Sequence, residues 1–512
     1  MLLDWPLALL PLLLIIVLMA RFRWGAARAG PAGWLAAVAV AAWRFDAGLN
    51  VLAVAQARAF FLAMDVLLIV WAAFLLYRVT DEAGAIDTLG RALPRLTSDR
   101  GMQALLIGWA FATFLQGVGG FGIPVVVTAP ILLGLGFSPL AAVLVPSVGH
   151  SWSVTFGSLA SSFQALIVAS GMPGAALAPE SAALLGLAGI ACGWMVARIA
   201  DGPGSGRRLA LPILILGVVM GLVQFGLATS GLWNIAGFGA GLAGLGVGLI
   251  VARGHRGEGS SASAPVPVCE IGLALVGYAA LVAVTLAVQL LPSLQAALGG
   301  LAIGAHLPAT ETGRGFAVPA GEVGPIILLR HAGAVLTYAS LLAYAVYRRA
   351  GSFRPGAPRR ILGNTGRGVL PATIGIVSMV GLAAVMSQSG MTDTLARGLA
   401  EGAGALFPLA SPWIGALGAF ITGSNTNSNL LFVPLQKRTA EILGLSTTGI
   451  LAAQTAGGAI GSVAAPTKVV VGVGGTDGSV NEGEVMRRLL PYVGALIAGL
   501  SALVWIWLSL TR

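Results

Sequence analysis

The sequence predicts an all-α polytopic membrane protein of about 14 transmembrane helices. It is arranged as an inverted repeat of two halves, each with a re-entrant hairpin and a broken helix. Three observations predict this. Of the 512 residues, 57% are hydrophobic and only 9% are charged, whereas a soluble domain carries roughly 25% charge. Apolar runs near the ~20 residues needed to cross a bilayer as helix recur from end to end. Segments of the first half return in the second half in register.

The runs predict spans at about 2–20, 30–44, 60–78, 101–118, 139–157, 180–200, 209–228, 232–252, 269–291, 323–347, 368–388, 409–423, 446–464 and 488–510. In the first, Asp4 precedes the apolar stretch, and Arg21, Arg23 and Arg28 follow it. That order favours a retained span with its N-terminus outside over a cleaved signal. The net charge of +10 resides in Arg clusters between spans, such as "YRRAGSFRPGAPRRILGNTGR" (347–367). Such clusters mark cytoplasmic loops, so the basic balance does not point to nucleic acid. Cys192 and Cys269 stand alone, without CxxC, HExxH or a Cys/His cluster, so neither a metal nor a cofactor is expected.

The repeat is visible in "GAIDTLGRAL" (84–93) and "GMTDTLARGL" (390–399), which share six residues at an offset of 306. The same offset pairs Phe114 with Phe420 and Gly117 with Gly423, and an offset of 308 pairs Gly136 and Ser138 with Gly444 and Ser446. Segment 78–100 holds Arg78, Arg91, Arg95 and Arg100, while its mate 389–408 holds only Arg397 and the six Arg of 348–367 precede that span. Equivalent helices therefore run in opposite directions. The predicted organisation is a first repeat over 1–205 with its hairpin at 117–139, and a connecting helical pair and cytoplasmic linker over 206–267. A second repeat follows over 268–512, with its hairpin at 423–446. Segments 157–170 and 466–479, short and rich in Gly or Ser, complete the broken helices, whose irregular backbone must line a cavity.

"LQGVGGFGIP" (115–124) has the Gly spacing of a dinucleotide loop, but no strand precedes it, so that reading fails. In a hairpin, glycines such as Gly119 and Gly120 instead allow close backbone approach. The mate of this hairpin carries six consecutive polar residues, Ser424, Asn425, Thr426, Asn427, Ser428 and Asn429, which are a ligand-facing tip or else a solvated loop. Ser147, His150, Ser151 and Ser153 stand at the first predicted break, and Gln454, Thr455 and Lys468 at the second. His150 is a proton carrier or a satisfied buried ring. Lys468, one of two lysines, is functional by the cost of burying charge, or it snorkels. Lys437 reads as an anchor. Asp65 and Arg330-His331 are further charges inside predicted spans, and Glu311, Arg314 and Glu322 are placed in an exposed loop.

The ordered motifs "GGFGIPVVV", "GLGFSPLAAVL", "VTFGSLASS", "GSNTNSNLLFVPLQKRTAEILGLS" and "AAPTKVVVG" resemble the L-lactate permease family of bacterial inner-membrane carriers. The resemblance implies transport of L-lactate or a related 2-hydroxy acid such as glycolate with protons, and no enzymatic activity. It also marks departures. Family members typically carry an acidic residue where Gln116 stands, Gly-Ser-Asp-Thr where this chain has Gly423-Ser424-Asn425-Thr426, and a small or polar residue at Lys468. The expected partners are a small organic anion, protons and the lipid bilayer, with a homo-oligomer possible. Substrate binding is expected from Gln116, Gly119, Gly120, Ser147, His150, Ser151, Ser153, Ser424, Asn425, Thr426, Asn427, Asn429, Gln454, Thr455 and Lys468, and proton coupling from Asp65 or His150. The alternatives are a carrier of a dicarboxylate or sulfonate, and a subunit of a proton-pumping or antiporter complex.

Overall fold

A computed structural model describes residues 3–22, 24–92, 97, 99–120, 122–253, 267–474 and 480–510. Most of the predicted linker 253–267 and the end of the predicted arm 466–479 lie outside the described residues, as do the side chain of Arg91 and all of Arg95. The chain is helical and multi-pass. Among the described residues, eight helices are long and apolar enough to cross a membrane, or ten if each of two bent pairs is one span. That is fewer than the 14 expected. Of the expected spans, 139–157 is divided, 269–291 and 446–464 are the two bent pairs, and 2–20 and 323–347 are single helices of only 17 and 18 residues. Pro139–His150 and Ile123–Gly134 have 12 residues each, about 18 Å at 1.5 Å per residue, against a ~30 Å hydrocarbon core.

The second correction concerns residues 302–327. Here the chain forms strands where loop and span were expected. Ala302–Leu307 pairs antiparallel with Gly321–Ile327, and Thr310–Glu311 with Ala317–Val318. The span expected from 323 begins only at the Ala332–Arg349 helix. Glu311 and Glu322 are exposed, as expected. Arg314 reaches back to Asp4 at 3.1 Å, and Arg44 closes on the same carboxylate at 2.6 Å. These pairs tie the strand-bearing segment to the Asp4–Ala20 and Ala26–Arg44 helices.

The matched segments adopt matched local structure. Gly136 and Gly444 both have positive φ, at 80° and 63°. Two residues later, Ser138 and Ser446 each cap a helix, accepting from the N–H groups of Ala141 and Gly449. Gly149 lies on the backbone of Gly108, and its counterpart Gly457 lies on the backbone of Pro412, both too close for a Cβ. Small residues at such crossings let transmembrane helices pack backbone to backbone.

The two segments expected as hairpins are each mainly one helix, with the reversal at the N-terminal end. Ile123–Gly134 follows Gly120 and Gly122, both with positive φ, and Asn425–Ile442 follows Gly423 in left-handed conformation. The preceding helices, Arg100–Val118 and Phe407–Thr422, supply the first arms. The six polar residues therefore belong to a helical first turn rather than a loop. Ser424 explains why: its side chain accepts from the Asn427 N–H, a cap that starts the helix at once.

Candidate functional site

Both helix breaks exist. In the second half, Thr447–Ala464 and Pro466–Gly474 meet at 45°. In the first half, Pro139–His150 runs into a tight turn at Ser151–Ser153. Ser158, Leu159 and Ala160 then all take positive φ before Ser161–Ser170 begins. Left-handed backbone costs an L-residue about 1–2 kcal/mol, and such strain gathers at functional sites. Here it turns the Ser158 and Leu159 N–H groups onto the carbonyls of Gln116 and Gly117, at 2.8 and 2.9 Å. Gly120, itself at φ 60°, sits against the Ser158 hydroxyl with no room for a Cβ. Gln116, Gly117 and Gly120 of "LQGVGGFGIP" thus clamp the turn to the broken helix.

Across from that break lies the first turn of Asn425–Ile442. The Asn425 amide Nδ2 donates to Thr155 Oγ1 at 3.1 Å and to the Thr455 carbonyl at 3.2 Å. Asn429 Nδ2 donates to the Ser162 carbonyl and to Thr455 Oγ1, both at 2.9 Å. Thr155 and Thr455 bond each other at 3.1 Å, as do Ser162 and Thr426. Gln454 bonds Ser428 Oγ at 3.1 Å and also meets Gln436. Every one of these side chains is buried. Because a backbone carbonyl only accepts, the orientations of Asn425 and Asn429 are fixed by their partners. Their Oδ1 atoms are the ones left buried without a donor. The network is neutral and joins residues of both predicted repeats.

The structure does not bring all expected residues into this network. Ser147, Ser151 and Ser153 return their hydroxyls to the carbonyls of Val143, Val148 and His150. His150 is buried, with Nδ1 2.6 Å from the Pro146 carbonyl, so Nδ1 carries the proton and Nε2 is a bare acceptor without a partner. Gln116 is buried beneath Gly157, its Oε1 also unpartnered. The Asn427 side chain turns away toward Gly375. Lys468 donates to Ser462 Oγ at 2.9 Å inside the second break, and among the described residues it has no ion pair.

Asp65 stands in a second polar group. His331 caps its own helix by accepting from the Gly333 N–H at Nδ1, so Nε2 holds the hydrogen donated to Asp65 Oδ1 at 2.5 Å. Gln164 Nε2 donates to the other oxygen at 2.9 Å. These residues line a cavity of about 1260 Å³. Lys437, read as an anchor, bonds the terminal carbonyl of Ser170 in the wall of that cavity. Ser161–Ser170 links the two groups. Ser162 and Gln164 lie two residues, or about 200°, apart on that helix, one facing the buried network and the other Asp65. Thr155, Ser162, Gln164 and Gln436 were missed as site residues. Thr155 and Ser162 lie within "VTFGSLASS", and Gln436 stands between the apolar run 430–435 and Lys437.

A family model described as L-lactate permease matches residues 4–510. The chain belongs to the L-lactate permease family. Among its relatives, the "L-lactate permease" of Bacillus subtilis (strain 168) is 27% identical, covering 94% of this chain and 91% of the relative. The "Glycolate permease GlcA" of Escherichia coli (strain K12) is also 27% identical, with the same coverage. Among solved structures, the YdaH transporter of Alcanivorax borkumensis aligns over 87% of this chain and 85% of its own, at 16% identity and a TM-score of 0.46, too loose a likeness to carry an argument. A member of the L-lactate permease family is a transporter, not an enzyme.

Proposed function

We propose that the chain is a secondary carrier moving a small organic anion, L-lactate or a related 2-hydroxy acid such as glycolate, together with a proton across the bacterial inner membrane. The observation that carries this reading is the buried network of Asn425, Asn429, Thr155, Ser162 and Thr455, formed where two interrupted helices meet. Interrupted helices at membrane depth place unpaired peptide groups where an ion or solute can use them. As observed, both Asn donors are spent on protein acceptors. A carboxylate competing for them would have to loosen the contact between the halves, and that links binding to movement. Family membership and the names of the lactate and glycolate permeases support the substrate class. Uptake of labelled L-lactate and glycolate into membrane vesicles tests it. Saturable, mutually competitive uptake is expected, and absence of both activities in correctly inserted protein overturns it.

The inverted repeat is part of the same reading, supported by the paired glycines and serine caps and by the Arg asymmetry. It predicts that cysteines introduced at residues 85 and 355 are both labelled from the cytoplasmic side. Labelling from opposite sides contradicts the arrangement.

For the proton, Asp65 is the proposed carrier. The neutral His331 ring donates to it, leaving a carboxylate whose charge a proton would remove. Asp65→Asn is therefore expected to abolish accumulation driven by a pH gradient while sparing exchange of labelled for unlabelled substrate. Retained pH-driven accumulation removes Asp65 from the coupling path.

Lys468 favours a second reading, a dicarboxylate or sulfonate. Among the described residues no carboxylate neutralises it, and a more strongly anionic solute would. Competition of such acids against lactate uptake decides between the two.

A further inference from the structure

The cavity beside Asp65 is lined by four Arg or Lys and four Asp or Glu residues, and two of those cations engage none of the carboxylates. Arg438 is held by Asp393 at 2.6 Å and Glu441 at 3.3 Å. Lys437 lies 4.0 Å from Glu441 and donates to Ser170. His331 is engaged by Asp65, and Glu322, also in the wall, is engaged by His306 at 2.9 Å. Two cations remain. Arg58 and Arg330 both line the cavity, and neither side chain has an ion pair or hydrogen bond among the described residues. Arg58 is half-buried, and its Nε is enclosed without an acceptor.

Their placement follows from the helix. Arg58, Leu62 and Asp65 are spaced i, i+4, i+7 on Leu49–Glu82, one face of a 3.6-residue helix. Arg58 therefore stands two turns, about 10 Å along the axis, from Asp65. Arg330 immediately precedes His331, the partner of Asp65. Both guanidinium groups thus share a cavity wall with the Asp65–His331 pair. The cavity, at about 1260 Å³, exceeds the ~300–1,000 Å³ of a close-fitting small-molecule pocket. An anion there keeps much of its water, so the place suits capture and not occlusion.

We propose that Arg58 and Arg330 form an anion-capture site for carboxylates, upstream of the buried Asn425 network. A guanidinium presents paired N–H donors that match a carboxylate in bidentate fashion. Two guanidinium groups without a carboxylate partner in a partly enclosed wall attract an anion from solution. The site rests on the carrier reading for its physiological role, but its chemistry can be tested apart from transport.

The test is calorimetric titration of the full-length protein in detergent with acetate, L-lactate, glycolate and succinate, alongside lactate uptake in proteoliposomes. Wild type is expected to bind at least one of these carboxylates saturably, with affinity that falls as inert salt is raised. Arg58→Gln/Arg330→Gln is expected to weaken binding by roughly tenfold or more, the scale of one lost charged hydrogen bond. In uptake, KM should rise by a similar factor with Vmax retained. Arg58→Lys should restore part of the affinity, because the charge returns without the fork. Wild-type affinity independent of salt overturns the proposal whether or not the variants fold. So does a folded double variant that binds all four acids as wild type does, or a wild type that binds none. Salt-sensitive, Arg-dependent binding with no lactate or glycolate uptake leaves the capture site standing and overturns the carrier reading for those acids.

Discussion

Asn425→Leu abolishes transport, with at least a hundredfold loss of uptake rate and normal membrane insertion. Asn425 is the amide that crosses between Thr155 in the first break and Thr455 within the Thr447–Gly461 helix, with donor distances of 3.1, 3.2 and 3.4 Å. Leucine supplies no donor, so the Thr455 carbonyl loses that bond inside the protein. Thr155 Oγ1 and the Thr455 carbonyl still bond each other, so the loss is that of the amide's own hydrogen bonds, about 0.5–1.5 kcal/mol each or roughly 2–13-fold in an equilibrium, and more than one is affected. The site also has no spare volume, because Asn425 Oδ1 already packs on Gly458. Asn427 is the internal control. It is two residues away and faces Gly375, so Asn427→Leu should cost much less. Uptake normalised to inserted protein measures both. Equal activity of Asn425→Leu and wild type would mean that the amide only fills space.

Lys468→Gln weakens the binding of anionic substrate by tens of times, with expression unchanged. The lysine donates to Ser462 Oγ at 2.9 Å in the second break. A charged hydrogen bond in such a setting contributes about 1.5–3 kcal/mol. Glutamine keeps a donor for Ser462 and removes only the charge, so a loss reports electrostatics and not packing. Lys468→Arg should rescue partly, since a planar guanidinium does not reproduce a compact ammonium. The KM for each tested acid is the readout. Unchanged KM across the series makes Lys468 an anchor and leaves the substrate charge to Arg58, Arg330 or backbone amides.

Much of the site was legible because membrane burial makes polarity conspicuous. Asn425, Asn429, Gln454 and Thr455 stand out in a chain that is 57% hydrophobic, and the structure gathers them. Ser147, Ser151 and Ser153 stand out equally and are not gathered. A hydroxyl in a helix can return to the carbonyl three or four residues back, and no composition or spacing reveals which serine does so. The secondary structure at residues 302–327 was misread for a related reason: Ala, Gly and Ile suit apolar helix and short strand alike, and the pairing of His306 with Glu322 depends on register.

By itself, the sequence determined that this is a multi-pass membrane protein resembling a carrier family, that its two halves hold matching segments, and that polar residues stand within its apolar stretches. Those properties are local: hydropathy over ~20 residues, recurring Gly and Ser, and the cost of polarity in hydrocarbon. The tertiary structure alone decided which polar residues are partners. Asp65 with His331 spans 266 residues, Ser162 with Thr426 spans 264, and Asn425 with Thr155 spans 270. Hydrogen bonds and ion pairs at 2.5–3.4 Å require side chains from distant helices to be aimed within a fraction of an ångström. Only the packing of those helices sets that aim.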